Sequence, residues 1–293
     1  MAGLLASQML MSQTKGILPL NGIRYSNEGV SSKQVSVRID GLQLLSNRVP
    51  LNKEITVAIG QPAGFTENTK LIYAGAELSV LSPRGETLMK NPNVFLKNEA
   101  TGFDTRSVKE LAVKFGITPE ILRGNNTCTI VIRLYDLKGK NQLRLDFPVA
   151  ITKPGEALQL AKAAVPFKSN DPSSIAMGIG VTTTGIKISV DSNISVAPKM
   201  AYTSLNISGI QGSSLSGVLN GTEKFWVYDA NMNEIKIKEI LLKSVTGAME
   251  DNIVDYTLKI PYRPKGTADK GYVVRFRWDS DDQKKMIDVV VTR

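Results

Sequence analysis

The sequence predicts an all-β chain made of two tandem, duplicated β-sandwich domains joined by a short linker. Three observations predict it. Short runs alternate apolar and polar residues, the period of half-buried strands. Clusters of Gly, Pro, Asn and Asp separate those runs at the spacing of turns. And one hairpin is written twice. Asn126 to Tyr135 runs through Asp136-Leu137-Lys138-Gly139-Lys140-Asn141 into Leu143, Leu145, Phe147 and Val149 at every second position. Tyr272 to Trp278 runs through Asp279-Ser280-Asp281-Asp282 into Ile287, Val289 and Val291 in the same rhythm.

In chain order, Ile17 to Glu28 reads as a Gly- and Pro-punctuated lead-in. Val35, Val37 and Ile39 alternate with polar residues and predict a strand. Ile55, Val57 and Ile59 predict another, stopped by Gln61-Pro62-Ala63-Gly64 because Pro and Gly both interrupt a ladder. Glu77 to Leu81 predicts a third, followed by Ser82-Pro83-Arg84-Gly85, the composition of a type I turn. Val108 to Phe115 alternates again. Thr118-Pro119-Glu120-Ile121-Leu122 then predicts one helical turn, with Thr118 as cap and Pro119 at the first helical position. After the hairpin, Glu156 to Val165 is rich in Ala and Leu and predicts a short helix inside a polar, turn-forming linker.

The second half repeats the first. Pro50 falls on Pro198, Ile59 on Ile207 and Gly64 on Gly212 at an offset of 148. Leu78 and Val80 fall on Phe225 and Val227 at 147, Leu96-Lys97 on Leu242-Lys243 at 146, and Thr101-Gly102 on Thr246-Gly247 at 145. Leu111, Val113 and Phe115 fall on Tyr256, Leu258 and Ile260. Ile130, Ile132 and Leu134 fall on Val274, Phe276 and Trp278 at 144. Single-residue drift is what loop insertions and deletions produce, and self-similarity at a long fixed period marks a repeated structural unit.

The expected layout is therefore a lead-in over 1–32, a first domain over 33–153, a linker over 154–181 and a second domain over 182–293. Short strands at this spacing point to sandwiches of the immunoglobulin-like or C2-like kind. Any immunoglobulin likeness is architectural, since Cys128 is the single cysteine and no intramolecular disulfide exists. Cys128 itself reads as a small buried apolar residue.

Composition narrows the chemistry. The chain has 293 residues and no histidine, which removes Ser-His-Asp and Cys-His catalysis and zinc sites of the Cys/His type. No Gly-rich phosphate loop or dinucleotide motif is present. The net charge is +9. From Ile175 onward there are 15 Lys and Arg against 13 Asp and Glu, and before it 21 against 14. These basic residues are scattered, so a solvated surface is expected rather than a nucleic-acid partner. No apolar run is long enough to span a bilayer as a helix. Gly3 to Gln13 has a short apolar core and a small-to-polar exit, which suggests the remnant of a secretory signal and hence a periplasmic or extracellular location.

Three candidate binding residues stand out: Trp226, Arg275 and Arg277. Trp226 alternates with Phe225 and Val227, so Trp226 and Phe225 occupy opposite faces of a strand. Arg275 and Arg277 alternate with Val274, Phe276 and Trp278, and belong to the outer face with Arg263, Lys265 and Lys270 nearby. A ring on an outer face can stack on sugar, and the basic residues can hold an anion. The commoner outcomes are a packed ring and a charged face that discourages edge pairing. Asp229 to Glu234 and Asp279 to Asp282 have the oxygen donors calcium takes, but Asp, Asn and Ser are also what turns select. No metal or cofactor is expected. Asn206-Ile207-Ser208 and Asn220-Gly221-Thr222 are glycosylation tripeptides, relevant only on a eukaryotic secretory route.

The function expected from these features is non-enzymatic: an exported structural or protein-binding adaptor whose edges and loops meet a protein partner. The alternative is a glycan-binding module, in the manner of carbohydrate-binding modules, using the exposed aromatic and basic residues on an anionic glycan. A hydrolase would need two carboxyl groups about 5 to 10 Å apart in a cleft.

Overall fold

The structure, a computed structural model, describes residues 15–156, 158–161, 165–167, 174–180, 187–195, 200–211, 221–235, 242–248, 253–262, 272–281 and 285–292. It is nearly all β, with several antiparallel sheets. Among the described residues the one α-helix is α1 (Pro119–Leu122). The chain divides into two compact units, Met1–Ala163 and Ala164–Arg293.

The strands of the first unit are β1 (Lys15–Ile17), β2 (Arg24–Glu28), β3 (Ser31–Ile39), β4 (Leu42–Leu44), β5 (Arg48–Pro50), β6 (Glu54–Ala63), β7 (Glu67–Asn68), β8 (Leu71–Ile72), β9 (Ala74–Leu81), β10 (Thr87–Asn91), β11 (Phe103–Asp104), β12 (Glu110–Gly116), β13 (Thr127–Asp136), β14 (Gln142–Thr152) and β15 (Leu160–Ala161). One sheet runs β1-β2-β14-β13-β9-β10, with β5 parallel to the end of β14. A second runs β12-β6-β3-β4-β15, and a small one β11-β8-β7.

The two larger sheets share one core. Val35, Val37, Ile55, Val57, Ile59, Leu111 and Val113 from one sheet join Leu78, Val80, Ile130, Ile132, Leu145 and Phe147 from the other in a single buried apolar cluster. These are the alternate positions of each strand, so the period-two pattern places them on one face. Cys128 belongs to the same cluster. Burial pushes its thiol up to about 11, which keeps it protonated and unreactive near neutrality.

Turn chemistry follows the sequence. Thr118 Oγ1 accepts from the Ile121 N–H and Pro119 opens α1, as its composition predicts. Gly85 N–H closes on the Ser82 carbonyl at 2.9 Å. Asp136, at the end of β13, accepts from the Thr66 N–H at 2.7 Å and the Lys138 N–H at 2.9 Å, tying the loop after β6 to the hairpin. Beside it Asn141 Nδ2 donates to the Gly64 carbonyl at 2.7 Å. Gly64 has φ +90°, and a Cβ there would meet the Gly29 carbonyl oxygen at 1.9 Å, so only glycine fits.

The second unit holds β16 (Val165–Phe167), β17 (Ser174–Ile179), β18 (Lys187–Ser195), β19 (Met200–Gln211), β20 (Gly221–Asp229), β21 (Glu234–Ile235), β22 (Leu242–Ala248), β23 (Ile253–Tyr262), β24 (Tyr272–Ser280) and β25 (Met286–Thr292). Its sheets run β16-β17-β25-β24-β20-β21 and β18-β19-β23-β22. The first of these has the strand order of β1-β2-β14-β13-β9-β10, position for position.

Register follows as well. Ile59 lies between Val35 and Leu111; Ile207 lies between Ile188 and Tyr256. Val80 faces Ile130, which faces Phe147; Val227 faces Val274, which faces Val291. The units differ at their margins. β4 and β15 extend the β3 side in the first, and β22 extends the β23 side in the second.

Two readings of the sequence are replaced. The lead-in over 1–32 contains β1 and β2, and β2 pairs with β14 across Tyr25 and Leu145. Its strand period is masked because Asn27 sits where the apolar alternation of Ile23 and Tyr25 would continue. The linker over 154–181 contains β15, β16 and β17, and β17 pairs with β25 along its length. In place of the helix expected over 156–165, Leu160–Ala161 pairs with β4. Helix propensity is a weak prior that a nearby strand partner overrides. The Gly3 to Gln13 segment lies outside the described residues.

Candidate functional site

The three residues singled out by sequence share one face of one sheet in the second unit. Trp226 on β20 lies opposite Arg275 on β24, and Lys224 lies opposite Arg277. Phe225 is on the other face, where its ring stacks on Phe276 at 5.0 Å. Alternation puts Phe225 and Trp226 on opposite faces, and the structure places Phe225 on the side of Phe276 and Trp226 on the side of Arg275. Trp278 is on the core face and buried.

The environment of the arginines is not the solvated one that alternation suggested. Arg275 and Arg277 are each only 7% exposed. Arg275 Nε donates to Asp288 Oδ1 at 3.1 Å, and Nη2 donates to Oδ2 at 2.6 Å. Its guanidinium also lies 4.9 Å from the centre of the Trp226 ring. Arg277 Nε donates to Asp279 Oδ2 at 2.9 Å, and Nη2 to Oδ1 at 2.7 Å. Burial by itself lowers the Arg275 pKa, but the charge and hydrogen bonds of Asp288 outweigh it and hold the guanidinium above the ordinary arginine value. Both cations are already matched by carboxylates. Trp226 is half-buried and carries a guanidinium on its ring.

Neighbours on this face are also buried: Met177, Tyr228, Val273, Met286 and Val290, with Asp288 at 0% exposure. On the corresponding face of the first unit Ser79 and Val131 are buried, but the charged residues reach solvent. There Arg133 is exposed and shares Glu77 with Lys90, and Arg144 pairs with Asp146 at the surface. Identical strand order therefore supports two different outer faces. Asp288 was missed in the sequence because it sits inside an apolar alternation. Hairpin register was the available signal, since Asp288 falls diagonally across from Arg275, which pairs with Val290.

The acidic loops are spent locally. Asp229 Oδ1 accepts from the Asn231 and Asn233 N–H groups at 2.8 and 2.9 Å, the geometry of a turn. Asp279 binds Arg277, and Asp282 lies outside the described residues, as do Arg263, Lys265, Lys270, Gly212 and Asn220. Among the described residues no cluster of three or more Cys, Asp or Glu is placed to hold a metal ion.

A second feature is an edge. β12 pairs with β6 on one side only. Lys109 and Ile117 direct their carbonyls to Gln61 and Asn52 on the β6 side. By alternation the backbone groups of Glu110, Ala112, Lys114 and Gly116 point the other way. Among the described residues no strand meets them. Glu110 and Lys114 are exposed, and their side chains are engaged sideways by Arg38 and Glu54. In the second unit β23 occupies the same place in the order, and β22 covers that side, with Ser244 opposite Thr257 and Val245 opposite Tyr256.

No protein-family model matches the chain, and neither does any curated protein.

Proposed function

We propose that the chain is a duplicated pair of β-sandwiches serving as a non-enzymatic, exported adaptor or scaffold that binds a protein partner in the cell envelope or an extracellular assembly. The duplication is supported by the repeated strand order and by the cross-strand pairs that recur at the offsets read from sequence. The observation that carries the binding role is the edge of β12, a row of outward backbone donors and acceptors that no strand among the described residues meets, flanked by the exposed Glu110 and Lys114. Such an edge gains main-chain hydrogen bonds when an extended segment is added to it. The lack of histidine and the pairing of Arg275 and Arg277 with carboxylates agree with side chains committed to packing.

The test has two arms. Fractionation of source cells should place the chain outside the cytoplasm. Cross-linking and affinity capture of the full chain from envelope and medium should recover a specific protein. Capture that returns none, or a wholly cytoplasmic location, counts against the reading.

A glycan-binding role draws on one observation, the half-buried Trp226 with Arg275 against its ring. Binding on a glycan array that disappears in Trp226→Ala would favour it; an array that stays silent removes it.

A further inference from the structure

The two units treat one aligned segment differently. Leu242–Ala248 is the edge strand β22. The segment that falls on it, from Leu96-Lys97 to Thr101-Gly102, is not a strand in the first unit. It begins with a single 3-10 turn, Leu96–Asn98, and continues in turns to Gly102. Leu96 is 67% exposed, and Lys97, Glu99, Ala100 and Thr101 are exposed too. The turn is held by local backbone bonds: Asn98 N–H to Phe95, Glu99 N–H to Leu96 and Gly102 N–H to Asn98. A segment with so little buried surface opens at low free-energy cost. The strand that its counterpart covers in the second unit is the one that, among the described residues, no strand covers in the first, β12. The first unit thus carries both a strand-like donor and a matching acceptor, and uses neither.

We propose that the bare edge of β12 accepts, in antiparallel pairing, the 96–102 segment of a second copy of the chain. The exchange is reciprocal, giving a closed two-fold dimer in which each copy donates and accepts once. The second unit supplies the register. Ser244 faces Thr257, so Asn98 of one copy faces Ala112 of the other. The outward groups of Glu110, Ala112 and Lys114 gain backbone partners, with Leu96 opposite Lys114 on the outer face, as Leu242 is opposite Lys259. This inference rests on reading the chain as a duplicated binding module, and it names the partner as a second copy.

The test uses the full chain. Asn98→Cys protein mixed with Ala112→Cys protein should form a disulfide-linked dimer under mild oxidation, while neither variant alone should do so. Sedimentation should show a concentration-dependent dimer. Ala112→Pro deletes the outward N–H and should raise the dimer dissociation constant at least tenfold. Asn98→Pro, in the exposed segment, should do the same if Ala112→Pro fails to fold. Cross-linking of Ala112→Cys with itself would mean that two β12 edges pair directly, and it overturns the donor assignment. A monomer at the highest soluble concentration, or a dimer unchanged by both proline variants, overturns the proposal. A dimer without any captured partner leaves this inference standing and removes the adaptor reading; a captured partner with a monomeric chain does the reverse.

Discussion

Arg275 and Asp288 form a bidentate pair on neighbouring strands of the second unit, with hydrogen bonds of 3.1 and 2.6 Å and hardly any solvent contact. A pair of this kind is a poor source of net stability, because desolvation offsets most of its attraction, yet breaking it strands a buried charge. It fixes the register of β24 on β25 from the face opposite the core.

Asp288→Ala should therefore destabilise the chain by about 3–5 kcal/mol, since Arg275 stays buried without its carboxylate. Replacing both, as Arg275→Met with Asp288→Leu, should recover most of the loss. Urea denaturation of the single and double variants measures both outcomes.

Asp136 contributes to acid sensitivity. Burial raises its pKa, but hydrogen bonds from Thr66, Lys138 and Gly139 outweigh that and hold the carboxyl below its ordinary value. A depressed carboxyl contributes stability that is fully present above the unfolded-state pKa of about 3.9 and is lost as pH falls through the lower folded value. Asp136→Asn should cost about 1–3 kcal/mol at neutral pH. It should also flatten the acid limb of a stability-versus-pH curve below pH about 4.

Gly64→Ala forces a Cβ onto the Gly29 carbonyl at a residue with φ +90°. The expected loss is at least about 1 kcal/mol. The control is Gly85→Ala, which has φ +86° but open space around the added carbon. It should cost less, and thermal melts of the two variants separate steric conflict from backbone strain.

Cys128 should resist alkylation in the folded chain at pH 8, three units below its thiol pKa of about 11. Labelling should appear only in denaturant, and mass spectrometry after a timed pulse follows it. Rapid native labelling would show that the first-unit core opens readily.

Much of the fold was legible because strands announce themselves by alternation. The two hairpins, the Thr118-Pro119 helical start and the burial of Trp278 all rest on local period or turn chemistry. The strands inside the lead-in and linker were not legible: β2 and β15 are short, and partners distant in sequence select them, Leu145 for Tyr25 and Leu44 for Leu160. The candidate site was half legible. Alternation assigned Arg275 and Arg277 to one face and set Trp226 apart from Phe225, but Trp226 joined the arginines, and Asp288 entered, only once register was known.

The sequence by itself determined the all-β class, the faces of the strands and the offsets at which the second half echoes the first. All of these depend on local spacing, which a strand converts directly into direction. Tertiary structure alone decided that the arginines of the outer face are exposed in one unit and buried in the other, and that an edge covered by β22 in the second unit meets no strand among the described residues on β12 in the first. Burial and edge pairing are set by what lies across from a strand, and a residue's own neighbours in the chain hold no record of that.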